Sequence, residues 1–219
     1  MEKFSKLRPL FGCILIILVC SSIASMIQSD FGRVEVNAIK VDTQNGQHLV
    51  FDLYKPISAT EDSKAPFIVV VPGFQRSKEA LSNIAIELSR RGMVIALIDP
   101  YAQGLSSSSR SKRSATTEGY GMFYLVEQAH SGNFLNYIDV NKIASTGHSM
   151  GGNAAIRGAN YFGKQAIKKN EPSKLHSVFV SGYVLTLQDK VLKDIRSNVG
   201  VSYALYDEGA FRNELSGWD

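Results

Sequence analysis

Three features of the sequence predict an α/β protein: a mostly parallel central sheet flanked by helices, preceded by an N-terminal transmembrane helix. Short β-branched runs alternate with segments of helical periodicity. A pair of alternating segments that reads as an antiparallel hairpin comes before them. Ahead of both, Leu10 to Ile27 carries no charge and is mostly Ile, Leu, Val, Phe and Cys.

The apolar stretch is close to the roughly 20 residues that cross a bilayer as a helix. Lys3, Lys6 and Arg8 precede it, and Asp30 is the first acidic residue after it. A positive flank stays in the cytoplasm, so the rest of the chain is expected outside it. Two versions compete. An uncleaved signal anchor makes a single-pass membrane protein of residues 1–28 with a domain over 29–219. A cleaved signal peptide, for which Ser22-Ile23-Ala24 offers the small residues, makes a secreted one. The anchor is favoured. A buried core helix fits poorly, because nothing in the stretch is polar enough to face water.

Over 219 residues the composition is 44% hydrophobic and 20% charged, ordinary for one globular domain. Cys13 and Cys20 both lie in the apolar stretch, so the domain has no disulfide, cysteine nucleophile or cysteine metal site. The net charge of +4, part of it from the anchor flank, is too small to argue for nucleic acid. Arg110, Lys112 and Arg113 in one loop read as a solvated surface, with anionic lipid contact second.

After the anchor, Val34 to Val41 and His48 to Tyr54 are the hairpin strands, joined by a turn at Asp42-Thr43-Gln44-Asn45-Gly46. A polar loop ends at Pro66, and Phe67 to Val71 then has the unbroken β-branched character of a strand buried on both faces. Ser77 can cap a helix to Arg91, with Leu81, Ile84, Ala85 and Leu88 on one face and Gly92 closing it. Val94 to Ile98 is a further buried strand. The Ser-rich loop from Tyr101 to about Thr117 reads as mobile. Met122, Leu125, Val126 and Ala129 mark another helix. Ile143 to Thr146 is a short strand, and a small-residue helix (Ala154, Ala155, Ile156, Ala159) follows it. His176 to Gly182 and Val199 to Tyr206 complete the strands.

Between the strand ending at Thr146 and that small-residue helix lies Gly147-His148-Ser149-Met150-Gly151, a G-x-S-x-G sequence. The chemistry needs a sharp strand-to-helix turn that lifts the serine hydroxyl clear of the sheet, with glycines where strand and helix pass closely. An acyl-transfer site also needs backbone N–H donors for the developing oxyanion. Met150, directly after the serine, is one candidate. Phe74, after Val71-Pro72-Gly73, is the other.

Gly147 to Gly152 resembles the nucleophile elbow of α/β-hydrolases. Asp99-Pro100-Tyr101-Ala102-Gln103-Gly104-Leu105-Ser106 resembles the family's D-x-R-G-x-G-x-S stretch, departing from it at Tyr101 and Ala102. The resemblance runs from about Arg33 onward and is nearest to membrane-anchored bacterial esterases and lipases. It implies the hydrolase fold, serine-ester chemistry on esters, amides or lipids, and no cofactor. Ser149 is then the nucleophile, and Asp207, with Glu208 as second choice, is the triad acid after the seventh strand.

The base does not appear. The family places a histidine after the acid, yet the chain has only His48, His130, His148 and His176. His148 should point away from Ser149, His130 and His176 belong at the opposite edge of the sheet, and His48 opens a strand. With only thirteen residues after Tyr206, the last strand and helix of the fold are expected to be missing, as in a chain shortened at its C-terminus. The alternative function is therefore a non-catalytic hydrolase-fold module. A nucleotide-binding protein is disfavoured by the lack of G-x-G-x-x-G and G-x-x-x-x-G-K-[ST], and a metal hydrolase by the lack of clustered ligands.

Overall fold

The computed structural model describes residues 7–43, 46–109, 111–132, 134–183, 189–202 and 204. The β-branched runs become the middle of one sheet. Its strands are β1 (Val34–Asp42), β2 (His48–Pro56), β3 (Ala65–Val71), β4 (Val94–Ile98), β5 (Ile138–His148), β6 (Ser177–Ser181) and β7 (Asn198–Ser202). They lie in the order β1-β2-β4-β3-β5-β6-β7. β1 pairs antiparallel with β2, and β2 with β4; every other pairing is parallel. All five residues of β4 are buried, as expected of a strand covered on both faces.

The helices are α1 (Arg8–Gln28), α2 (Ser82–Arg90), α3 (Ser114–Thr117), α4 (Met122–His130), α5 (Met150–Lys169) and α6 (Asp189–Leu192). On one face of the sheet α4 and α5 close the main core, in which Phe51, Phe67, Leu125, Ile143, Ile156 and Phe162 are buried. On the other face α2 covers a smaller cluster of Tyr54, Val70, Ala85, Ile95 and Leu97. α1 buries none of its residues and is long and apolar enough to cross a membrane.

Several boundaries differ from the sequence reading. The helix expected from Ser77 begins as a 3₁₀ turn (Lys78–Leu81), and Ser77 makes no side-chain cap. Its place is taken by a distant carboxylate: the Lys78 N–H donates to Asp99 Oδ1 at 2.8 Å. β5 starts five residues before Ile143 because Ala65 pairs with Ile138 across a register shift. The described part of the last strand ends at Ser202. The Ser-rich loop is stitched to β2: the Ser106 hydroxyl donates to the Asp99 carbonyl and accepts from the Val50 N–H, and the Ser107 hydroxyl donates to the His48 carbonyl. Those serines are used as short hydrogen-bonding tethers.

Candidate active site

Ser149 sits between β5 and α5 at φ 54°, ψ −123°. A non-glycine residue there costs about 1–3 kcal/mol, so the surroundings must hold it. Three contacts do so. Its N–H donates to the Ser181 carbonyl on β6 at 2.9 Å, and its own carbonyl accepts from the Asn153 N–H at 3.1 Å. The third is close backbone packing under the elbow. A Cβ at Gly151 would lie 1.9 Å from the Val71 carbonyl oxygen, and one at Gly147 would lie 2.3 Å from the Gly151 carbonyl carbon. The two glycines of the motif are thus required by contact between β3, β5 and α5.

The loop after β3 meets the serine from the side. A Cβ added at Gly73 would be 3.2 Å from the Ser149 Cβ and 3.7 Å from its Oγ. Phe74 follows, largely exposed. Met150 is the first residue of α5, so its N–H has no acceptor within the helix. Phe74, far from Ser149 and Met150 in sequence, therefore shares one edge of the sheet with them. A cavity of about 290 Å³ opens between Phe74 and Met150, lined also by Tyr101, Gln103, Thr116 and Tyr120. Burial raises the Tyr101 and Tyr120 phenols above the ordinary tyrosine value.

Two residues organise this edge that the sequence reading did not single out for it. Gln103 donates from its amide nitrogen to the Gly73 carbonyl at 3.2 Å, and its side-chain oxygen accepts from the Gln75 N–H. It clamps the Gly73–Gln75 turn from both sides. Asp99, 1% exposed, accepts from the Lys78 N–H and, at 3.0 Å, from the Leu105 N–H. Both belong to the stretch from Asp99 to Ser106. The non-glycine residues Gln75, Ala102 and Ser149 all have positive φ, so backbone strain collects here.

No described residue hydrogen-bonds the Ser149 hydroxyl, and the four histidines have other surroundings. His48 bonds the Leu105 carbonyl at 3.1 Å, and His130 the Lys174 carbonyl at 2.9 Å. His176 and His130 both line a hollow at the far edge of the sheet. His148 is exposed and lines a groove on the face that carries α2. That groove, about 580 Å³ and strongly apolar between Ile84, Leu88, Phe179 and Val199, is larger than the cavity beside Phe74, and the hollow that holds His130 and His176, about 1120 Å³, is larger still. The smaller cavity is the candidate site because Phe74 and Met150, the residue directly after Ser149, line it. Asp207 and Glu208 lie outside the described residues. Among the described residues no group of His, Cys, Asp or Glu could hold a metal ion.

A family model described as PETase, PET hydrolase-like, matches residues 21–207. No curated protein matches the chain. Among solved structures, the Pyrococcus furiosus esterase Pf2001 aligns with TM-score 0.56 and 15% identity, over 84% of this chain and 89% of that one. The α/β hydrolase GrgF from Penicillium sp. sh18 aligns with TM-score 0.52 and 19% identity, over 67% of this chain and 45% of that one. Brefeldin A esterase, a bacterial homologue of human hormone-sensitive lipase, aligns with TM-score 0.51 and 14% identity, over 68% and 40%. The chain thus spans less than half the length of GrgF and of brefeldin A esterase. At these identities the likeness establishes the α/β-hydrolase fold.

Proposed function

The chain belongs to the PET hydrolase-like family, and from that premise we propose that it is a serine hydrolase of carboxylic esters, with Ser149 as nucleophile. The backbone N–H groups of Met150 and Phe74 hold the oxyanion, and Asp207 is the acid. The domain, residues 29–219, is held at a membrane by α1 and lies outside the cytoplasm. The observation that carries the reading is the strained Ser149 at the strand-to-helix turn, with Gly73 packed against its side. A serine is strained in this way where its hydroxyl must stand clear of the sheet.

Attack of the Ser149 oxygen on an ester carbonyl would form the acyl bond and move negative charge onto the carbonyl oxygen. Donors fixed before the reaction stabilise that charge at no reorganisation cost, and removing one typically costs about 10²–10³ in rate. Gln103 acts through Gly73 and Gln75, holding the loop that carries the Phe74 N–H. The family description, together with a small cavity lined by Tyr101 and Tyr120, favours small esters or aromatic polyesters as substrates.

A second reading has an observation of its own. None of the four histidines hydrogen-bonds the Ser149 hydroxyl, which fits a hydrolase-fold module without catalysis. A fluorescent fluorophosphonate applied to the detergent-solubilised full chain separates the two. Labelling that disappears in Ser149→Ala is the expected outcome. A folded chain that takes no label sinks the nucleophile assignment and leaves the binding module.

A further inference from the structure

The end of α1 is fastened to the domain. The Gln28 side-chain amide donates to the Tyr54 hydroxyl at 3.1 Å. The Arg90 guanidinium, at the end of α2, donates to the Ile27 carbonyl at 2.8 Å, a cation at the negative end of the helix on a carbonyl that also accepts from the Asp30 N–H. Asp30, with 14% of its side chain exposed, lies between Arg33 at 2.9 Å and Arg90 at 3.6 Å. The connection from α1 to β1 is wound into a tight turn, with the Phe31 N–H on the Met26 carbonyl and the Val34 N–H on the Ser29 carbonyl. There is no slack in it.

All of these contacts lie at one edge of the sheet. Tyr54 pairs with Ile95, Ile95 with Ile68, and Ile68 with Ala144. Ser149 is five positions beyond Ala144 (149 − 144), which at about 3.3 Å per residue puts it roughly 16 Å further along the strand direction. The fastening is therefore at the N-terminal edge of the parallel strands and the candidate site at the C-terminal edge. Around the fastening, Phe31 is 67% and Ile57 56% exposed, and the Ile57 N–H donates to the Arg33 carbonyl beside the turn. Exposed apolar side chains next to arginines, at the point where an apolar helix ends, suit the boundary between hydrocarbon and headgroups.

The geometry points to a domain that stands on its own bilayer by this edge, with Phe31 and Ile57 at the lipid surface and the Ser149 cleft turned away from it. The inference rests on the reading of α1 as an anchor. It has a consequence for substrate: the site serves esters that arrive from the aqueous side or on another surface, and not the lipids of the membrane that holds the chain.

The test uses the full chain with Cys13→Ser and Cys20→Ser, the only cysteines present, and a single new cysteine at Ile57→Cys or Lys112→Cys. Lys112 lines the candidate cavity. Each variant carries an environment-sensitive dye and is reconstituted into phosphatidylethanolamine–phosphatidylglycerol vesicles containing headgroup-spin-labelled lipid. The expected result is quenching several-fold stronger at position 57 than at 112, with the contrast reduced by Arg90→Ala. Equal or reversed quenching overturns the orientation while leaving the anchor intact. A chain that does not float with the vesicles overturns the anchor and the orientation together. Hydrolysis of ester lipid within the same vesicle also overturns the inference. Quenching needs no turnover, so failure of the serine-hydrolase assignment registers separately, in the fluorophosphonate experiment.

Discussion

The two edges of the sheet are built by different means. At the C-terminal edge the parts are backbone: Gly147 and Gly151 let main chains touch, and a buried Asp99 accepts two backbone N–H groups; positive φ marks both edges, at Ser149, Gln75 and Ala102 here and at Asp30 and Phe31 at the other. At the N-terminal edge the parts are side chains at or near water: Arg33, Arg90 and Asp30 around a helix end, and Lys55 with Glu35. Backbone contacts have no room to adjust, whereas solvated ion pairs are worth about 0–1 kcal/mol and tolerate replacement. The edge that carries the candidate chemistry should therefore be much less tolerant of substitution than the edge at which α1 ends.

The sharpest way to break the contrast is Gly151→Ala. A methyl group placed 1.9 Å from a carbonyl oxygen forces β3 and α5 apart, at a cost of about 3 kcal/mol or more. Thermal unfolding should show a Tm lower by roughly 10 °C. An unchanged Tm would mean that the elbow is looser than described. Asp99→Asn should come next. The amide can present one oxygen to Lys78 or Leu105, but its NH₂ then faces the other N–H donor. Leaving a buried donor unpaired costs about 1–3 kcal/mol, read as a lower urea midpoint with an unchanged m-value.

Ser149→Gly tests the strain itself and has the opposite sign. Glycine adopts φ 54° freely, so the variant should gain about 1 kcal/mol in unfolding free energy while losing all fluorophosphonate labelling. A variant less stable than the parent would show that Ser149 is not strained.

The smallest effect is electrostatic. Hydrogen bonds from Lys78 and then from Ser77 lower the Glu79 carboxyl from its ordinary value to about 2. A carboxylate depressed in the folded state adds stability above its unfolded value of 4.5, and that stability is lost as pH falls towards about 2. Glu79 is largely exposed, 67% for its side chain, so the contribution is small. The Tm difference between the parent and Glu79→Gln should be present at pH 7 and close to zero near pH 2. A difference independent of pH would point to packing instead of charge.

Much of the fold could be read locally. The runs Phe67–Val71 and Val94–Ile98 became buried parallel strands, and Leu10–Ile27 lies within one helix that buries nothing. Periodicity and β-branching are properties of neighbouring residues, so they survive without knowledge of the partner. The elbow was legible for the same reason: strand, glycine, serine, glycine and helix are contiguous. The helix start after Ser77 was misread because its acceptor, Asp99, comes from another strand's end. The tethering of the Ser-rich loop is invisible locally because Ser106 and Ser107 find their partners on β2, more than fifty residues away in sequence.

Local sequence was sufficient for element type, for the glycines that close contact demands and for Ser149 as the candidate nucleophile, since each depends on residues adjacent in the chain. Tertiary structure alone decided that Gln103 clamps the Gly73 turn, that Asp99 holds the start of the helix after Ser77, and that Arg90 and Gln28, through Tyr54, fasten the end of α1. Those are distance relations across β-strand pairings, and no local pattern of residues encodes a contact whose two halves are set by the register of a sheet.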